Sequence, residues 1–147
     1  MLEHVSSERE TLAEVYRVLK VQGRLFLFAP NRLYPFESHG VDLISGKKIS
    51  PKVPFIPYIP VWLHKKLGIQ PWARNYFYFD IVADLKKLGF KICHLEMVPQ
   101  TFEGISGSPL KLGKHFNFLL RKIVMNISKI PIINKFTCVS FYIVAEK

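Results

Sequence analysis

The sequence predicts an α/β fold, because helical patterns are followed closely by strand patterns at two places. An amphipathic pattern ends near residue 20, and the apolar run Arg24–Ala29 follows it. A second helical pattern over Asp80–Leu88 leads into a strand pattern over Lys91–Val98. This alternation is typical of layered α/β architectures. The chain has 147 residues and 49% hydrophobic content, so it forms one domain at most, with a core of its own.

The first helix has a start signal, an apolar face and an end. Ser7 and Glu10 form a Ser-x-x-Glu capping box, and Gly23 ends the helix. Its apolar face repeats at helical spacing through Leu12, Val15, Tyr16 and Leu19. The run that follows is apolar from Leu25 to Ala29. This run predicts a strand buried on both faces, as in a parallel sheet.

Residues 31–77 lack an amphipathic period and are interpreted as a Pro- and aromatic-rich flap inserted into the domain. Prolines recur at the three-residue period of polyproline II, at Pro51, Pro54, Pro57 and Pro60. The apolar residues between them predict that the flap packs against the protein. It is either a hydrophobic lid over a substrate or a loop with a packing role. A ligand for an SH3-like domain is a third interpretation, which those apolar residues disfavour.

Residues 104–135 are interpreted as a basic, amphipathic helical insertion. An apolar stripe runs through Leu112, Phe116, Leu119, Leu120, Ile123, Ile127 and Ile130. Arg121 and Lys122 lie at its centre, and each would cost about 2.5–3.5 kcal/mol in the middle of a bilayer. The helix is therefore predicted to pack as part of the lid, with a helix lying in a membrane surface as the alternative. A last strand is predicted over Thr137–Ala145.

The net charge of +10 is concentrated in two segments, with +4 over residues 31–72 and +6 over residues 104–147. Basic surfaces attract the phosphate groups of lipids, nucleic acids or small substrates. No basic–aromatic repeat or known binding module is present, so no nucleic-acid partner is predicted. The sequence has no apolar run of membrane-spanning length. Its polar, acidic start is typical of neither a signal peptide nor a transit peptide.

Cysteine and histidine usage predicts no metal site. Cys93 and Cys138 are too few for a disulfide scaffold or a four-cysteine zinc site, which also indicates a reducing, cytoplasmic setting. His64, His94 and His115 are interpreted as ordinary structural or surface residues.

Several short motifs, taken in order, resemble the C-terminal half of a class I S-adenosylmethionine-dependent methyltransferase. They are Met1-Leu-Glu-His-Val5, Arg17-Val-Leu-Lys20 before Gly23-Arg-Leu, Ala29-Pro-Asn-Arg32 with Pro35, Glu37 and His39, and Leu85-Lys-Lys-Leu-Gly-Phe90. The closest resemblance is to the small-molecule branch that includes ubiquinone-biosynthesis-type O-methyltransferases. It covers roughly residues 1–100 and 136–147.

The resemblance implies a partial, Rossmann-like sheet that forms the C-terminal portion of the fold. Met1–Val5 would end the fourth strand beside the cofactor, Gly23 would precede the fifth, and the last strand would be the antiparallel seventh. Val21-Gln22 stands where the family has Pro-Gly, which changes a turn. The family's glycine-rich loop and two acidic cofactor-binding residues would lie before Met1. A partner chain that supplies this cofactor half is therefore a candidate, and an open strand edge is expected.

The activity implied by the resemblance is methyl transfer from S-adenosylmethionine to a small, apolar or lipid-like acceptor. Such a reaction depends mainly on positioning, helped by a base that takes the proton of the acceptor. The alternative is a non-catalytic, split or truncated subunit that binds a partner chain or a membrane surface.

The resemblance also places candidate site residues at the ends of strands. Glu3 and His4 are expected beside the cofactor, and His4 and His39 are the candidate catalytic residues. A capping role at the strand–helix junction is the alternative for the first pair. The candidate acceptor-binding residues are Asn31, Arg32, Glu37, Trp72, Arg74 and Tyr76. Loops at strand ends commonly carry such sites, although a polar surface loop is the alternative for residues 31–39.

Overall fold

The larger of two antiparallel sheets carries the core of the chain. In the computed structural model, which describes residues 2–37, 40–49, 54–99 and 114–147, this sheet consists of β1 (Arg24–Pro30), β5 (Lys91–Pro99) and β6 (Cys138–Glu146). A smaller sheet lies between β1 and β5 in the sequence. It is ordered β3-β2-β4 and consists of β2 (Val41–Leu43), β3 (Lys48–Ile49) and β4 (Ile69–Pro71). The chain is therefore a mixed α/β protein.

The last strand lies in the middle of the larger sheet, whose order is β1-β6-β5. It is antiparallel to both neighbours, and Ile143 stands opposite Leu27 on one side and Leu95 on the other. The antiparallel direction expected for the last strand is confirmed. β1 and β5 run parallel to each other without pairing, so the parallel, Rossmann-like sheet that was expected is not seen among the described residues.

The two predicted helices are present with nearly the predicted bounds. Helix α1 spans Glu8–Val18, and the Ser7 side chain accepts a hydrogen bond from the backbone N–H of Glu10 at 3.3 Å, as the capping box predicts. Helix α3 spans Tyr78–Leu88. It ends at Gly89, whose φ of 101° is the left-handed conformation that favours glycine.

Helices α1 and α3 cover one face of the larger sheet. Leu12 of α1 and Leu85 of α3 are fully buried in one cluster with Leu27, Phe141 and Ile143 of the strands. Burying one such side chain stabilises the fold by about 1.5–3 kcal/mol. This cluster is the core that the helical and strand patterns predicted.

The prediction that β1 is buried on both faces was wrong, because its second face is exposed. This strand was expected to be buried on both sides, but Phe26 and Phe28 are 63% and 56% exposed. Among the described strands, β1 lies at an edge of the sheet and pairs only with β6. The described helices α1 and α3 pack on the opposite face, so apolar residues on the second face stay in contact with solvent.

The flap does not adopt the predicted polyproline II conformation in its described part. A 3-10 turn over Ile56–Tyr58 is followed by the short helix α2 (Val61–His64). The N–H of Ile59 donates to the carbonyl of Ile56, a bond that polyproline II lacks. The first two prolines of the series lie outside or at the start of the described residues, so the correction concerns residues 54–64.

The start of the chain and the basic insertion differ in extent from the expectation. Leu2–His4 form a 3-10 turn and not the end of a strand. The basic insertion contains helix α4 (Lys114–Ile127) and the short helix α5 (Asn134–Thr137). Among the residues that the structure describes, no helix is both long and apolar enough to cross a membrane.

Replacing Gly89 with alanine should destabilise the protein more than the same change at Gly46. Both residues have positive φ, 101° and 80°, and an L-residue there costs about 1–3 kcal/mol. A Cβ at position 89 would also lie 2.8 Å from the Tyr16 hydroxyl. A Cβ at position 46 would have no neighbouring atom of the described residues within 4 Å. Chemical denaturation of both variants measures the difference in their free energies of unfolding. Adding Tyr16→Phe to the Gly89→Ala variant should restore part of the lost stability. Equal losses would contradict this assignment.

Candidate functional site

A cavity of about 620 Å³ lies where the loop after β1 meets the start of α3. One wall is apolar and comes from the flap, and the other carries charged side chains of α1 and α3. The lining includes Arg32, Glu37, Ile56, Pro57, Ile59, Val61, His64, Arg74, Asn75 and Tyr76. The cavity is within the range of volumes that small-molecule sites have.

Asn31 fixes the loop at one end of this cavity. It is 1% exposed, and its side-chain Nδ2 donates to the carbonyls of Lys135 and Cys138 at 2.7 and 2.8 Å. Its Oδ1 accepts from the N–H of Leu33 at 3.1 Å. The side chain therefore ties the end of β1 to the start of β6. Asn31 acts as a positioning residue, and the proposed contact with an acceptor remains a prediction.

Arg32 holds the flap against the loop. Its guanidinium donates to the carbonyls of Pro57 at 2.8 Å and Ile59 at 3.2 Å, and it lies 5.0 Å from the centre of the Phe77 ring. The Nε2 of His64 lies 3.0 Å from the same carbonyl of Ile59. Because a carbonyl oxygen only accepts, Nε2 carries the proton, and in the neutral imidazole Nδ1 is left as an acceptor. The flap thus brings one arginine and one histidine to the cavity.

Glu37 places a buried carboxylate in the wall. It is 1% exposed, and the side-chain amide of Asn75 donates to its Oε2. Asn75 belongs to the short segment before α3, where Tyr76 pairs with Asn31 as a parallel bridge. The bridge is made by the N–H of Tyr76 to the Pro30 carbonyl and the N–H of Arg32 to the Tyr76 carbonyl.

Tyr76 is held as a neutral hydrogen-bond donor. Its hydroxyl donates to the carbonyl of Leu2 at 2.8 Å. Burial raises the pKa of Tyr76 to about 12, and the negative charge of Glu8 adds to the effect. Burial also raises the pKa of Tyr34 in the same loop region. Tyr76 is therefore unsuited to accept a proton near neutral pH.

The Tyr76 phenol should make stability sensitive to alkaline pH. The phenol ionises at an ordinary pKa near 10 in the unfolded chain and at about 12 in the folded one. Its contribution is complete below about pH 10 and is lost as the pH rises towards 12. Urea unfolding of wild type and Tyr76→Phe at several pH values tests this, because the variant should show a shallower fall. Parallel curves would contradict the raised pKa.

Two ion pairs lie on the rim of the cavity. Arg74 Nη1 is 3.1 Å from Glu8 Oε2, and Arg9 Nε is 3.1 Å from Asp84 Oδ2. Both arginines are largely exposed, so each pair stabilises the fold by at most about 1 kcal/mol.

The predicted site residues are only partly brought together. Arg32, Glu37, Arg74 and Tyr76 line the cavity, and Asn31 lies beside it. Trp72 is half exposed and packs on Gly40. His39 lies outside the described residues. Asn75 was not predicted from the sequence, and His64 was interpreted as an ordinary residue. The sequence signal that could have indicated Asn75 is its position between Arg74 and Tyr76.

Glu3 and His4 are not among the residues that line this cavity, although the carbonyl of Glu3 accepts a hydrogen bond from the backbone N–H of Arg74 at 3.0 Å. The side chains of Glu3 and His4 are 3.7 Å apart, with that of His4 59% exposed and that of Glu3 15% exposed. Glu3 borders a second cavity of about 560 Å³, which runs along the open edge of β1. The roles of Glu3 and His4 stay predictions.

The described residues do not provide a complete site for S-adenosylmethionine. Its ribose hydroxyls and adenine call for carboxylates and backbone amides, as the family's two acidic residues and glycine-rich loop would supply. In the second cavity Glu3 is the one charged lining residue, and its neighbours include Leu12, Val15 and Leu25. Within the described ranges, no group of three or more His, Cys, Asp or Glu could hold a metal ion.

Comparisons with known proteins find distant similarity to solved structures alone. No protein-family profile and no curated protein matches the sequence. The chain is similar to the crystal structure of an S-adenosylmethionine-dependent methyltransferase from Mesorhizobium loti, at 14% sequence identity and a TM-score of 0.49. The match covers 100% of this chain and 58% of that chain, so this chain spans less than two thirds of its length. A similarity of this extent assigns neither an activity nor a ligand.

Proposed function

We propose that this chain forms the C-terminal, acceptor-binding portion of an S-adenosylmethionine-dependent methyltransferase. The observation that carries the proposal is the cavity at the carboxyl end of β1, where α/β proteins commonly bind ligands. Arg32, which lines the cavity, ends the Ala29–Arg32 segment that resembles the family segment after the fifth strand. The cofactor would be held by residues that the resemblance places before Met1 or by a partner chain.

The walls of the cavity favour an acceptor with an apolar body and one polar group. Ile56, Pro57 and Ile59 of the flap supply apolar surface, with Arg32 and Glu37 beside them as polar groups. The charged side chains on the opposite wall come from α1 and α3. An acceptor lying between the two walls would keep its apolar part against the flap and away from water. A small, apolar or lipid-like molecule with a hydroxyl group fits this division.

His64 is the residue best suited to take the acceptor proton. Its Nε2–H is engaged with the Ile59 carbonyl, which leaves Nδ1 as the acceptor. Tyr76 is excluded from this role by its raised pKa, and Glu37 is bonded to Asn75. The bound cofactor would supply the methyl group. This chain binds the acceptor, orients its hydroxyl, excludes water and receives the proton at His64.

Thermal unfolding of the endogenous polypeptide tests the proposal. A purification tag placed after Lys147 in the source cell retains any preceding segment and any partner chain. S-adenosylhomocysteine is expected to raise the melting temperature of this material, because a ligand that binds only the folded state stabilises it. Adenosine alone serves as the matched control. The isolated 147-residue chain should show little response, since the resemblance places the cofactor-binding residues before Met1.

A second candidate is a non-catalytic subunit that binds a partner chain along β1. The observation that favours it is the open edge of β1 beside an apolar cavity, with Phe26 and Phe28 exposed. Unpaired strand edges readily add a further strand.

The edge predicts self-association or partner binding of the isolated chain. Phe28→Lys places a charge on the exposed face and should shift the chain towards monomer, because lysine on an edge strand opposes pairing. Light scattering after size exclusion measures the change. Phe79→Lys, at an exposed phenylalanine of α3, is the matched control. A monomeric wild-type chain would remove the support for this candidate.

A further inference from the structure

The segment from α4 to α5, residues 114–137, is basic and has no acidic residue. It contains Lys114, Arg121, Lys122, Lys129 and Lys135. The whole stretch from Gly104 to Ala145 is free of aspartate and glutamate. Neither the cavity nor the core described above accounts for this composition.

The described solvent side of this segment is rich in apolar residues, beside the exposed Lys122 and Lys129. Its exposed large apolar side chains are Phe118, Leu119, Ile123, Met125, Ile127, Ile130, Ile132 and Phe136. Among the side chains described between Phe118 and Ile130, those of Val124 and Ser128 are partly buried, and the Ser128 hydroxyl lies 2.8 Å from that of Thr137. A helix packed as a lid would bury its apolar stripe. The described part of α4 instead exposes it, which disfavours the lid interpretation.

Among the residues that the structure describes, Lys122, Lys129 and Lys135 form no ion pair with a carboxylate. Lys122 Nζ lies 4.7 Å from the centre of the Phe118 ring, and Lys129 Nζ donates to the side-chain oxygen of Asn126 at 3.2 Å. Lys135 Nζ lies 5.8 Å from the centre of the Tyr78 ring. Positive charge and exposed apolar area therefore share one face. Such a face complements a surface with negative charge over an apolar layer.

We propose that residues 114–137 dock on the surface of an anionic lipid bilayer. Ile132, in the turn between α4 and α5, and the exposed side chains of α4 enter the boundary between headgroups and acyl chains. Lys122 and Lys129 remain at the lipid phosphates, since a lysine stem can lie along apolar surface while its charge stays in water. This inference is independent of methyl transfer, although a bilayer would also be the source of a lipid-like acceptor.

Co-sedimentation with vesicles tests the docking surface. The full chain is mixed with vesicles of phosphatidylcholine and phosphatidylserine in a two-to-one ratio, and with vesicles of phosphatidylcholine alone. Binding is expected to the anionic vesicles and to weaken as salt is added, because each lysine contributes electrostatic attraction that salt screens. This measurement on the wild-type chain needs no variant to fold.

Two pairs of variants separate the apolar and the electrostatic parts. Ile132 and Val21 are 73% and 81% exposed, so Ile132→Asp should lower vesicle binding about tenfold and Val21→Asp should not. Lys122→Glu should lower it about tenfold or more, and Lys20→Glu only slightly. Circular dichroism confirms that each variant is folded.

Three outcomes would overturn the proposal. They are equal binding to neutral and anionic vesicles, no binding to either, or equal loss in the test and control variants. Retention on immobilised polyglutamate without vesicle binding would assign the surface to an acidic protein partner instead. None of these outcomes depends on cofactor binding, so this proposal and the proposed activity fail separately.

Discussion

Replacing Asn31 with aspartate is expected to lower the free energy of unfolding by about 3 kcal/mol. The two side chains have the same shape, but the donor Nδ2 becomes an oxygen that faces the carbonyls of Lys135 and Cys138. Two buried hydrogen bonds are lost and like partial charges are brought together. Urea unfolding at neutral pH measures the loss.

The pH dependence of the Asn31→Asp variant gives a further check. A buried carboxyl beside two carbonyl oxygens favours its protonated form, which can donate one hydrogen bond. The deficit relative to wild type should therefore shrink as the pH falls. Asn126→Asp, on the exposed side of α4, is the control and should change stability by less than about 0.5 kcal/mol. Equal effects at the two positions would show that Asn31 does not join β1 to β6 as described.

Replacing His64 with glutamine is expected to reduce the rate of methyl transfer about 100-fold. The glutamine amide can still donate to the Ile59 carbonyl, so the flap should stay in place. It cannot accept a proton as imidazole Nδ1 does. Because acceptor binding depends on other walls of the cavity, kcat should fall far more than KM changes.

The matched control is His94→Gln. His94 lies on β5, exposed and bonded to Glu96, and is not among the residues that line the cavity. Its replacement should leave kcat within about twofold of wild type. Both rates are measured on the tagged endogenous polypeptide. A similar kcat for His64→Gln and wild type would remove His64 from the reaction.

Local signals in the sequence predicted the helices and strands of the larger sheet. The capping box at Ser7 acts within a few residues, and it is found where expected. The direction of β6 came from the family resemblance and is also confirmed. These features depend on neighbouring residues or on motif order, which a single sequence displays.

Features that depend on distant contacts were not predictable. The strand β1 reads as apolar throughout, but its pairing on one edge leaves Phe26 and Phe28 exposed. The strands of the smaller sheet have three residues or fewer and carry no alternation long enough to detect. In the flap, short turns replaced the expected polyproline II because backbone hydrogen bonds form within residues 55–63.

The candidate site was predicted in part for the same reason. Arg32, Glu37, Arg74 and Tyr76 were chosen from two separate segments, and the cavity joins them. The role of Arg32 as a clamp on the flap carbonyls depends on a contact across 25 residues. No sequence pattern indicates a role for His64, because that role depends on the tautomer that its hydrogen bond to Ile59 fixes.

Transfer of a labelled methyl group tests the central claim most directly. The endogenous polypeptide tagged after Lys147 is incubated with methyl-labelled S-adenosylmethionine and an organic-solvent extract of the source cell. The account predicts label in the solvent-extractable fraction, suppressed by excess S-adenosylhomocysteine and about 100-fold slower for His64→Gln. Absence of labelled product, together with no change in melting temperature on adding S-adenosylhomocysteine, would contradict it.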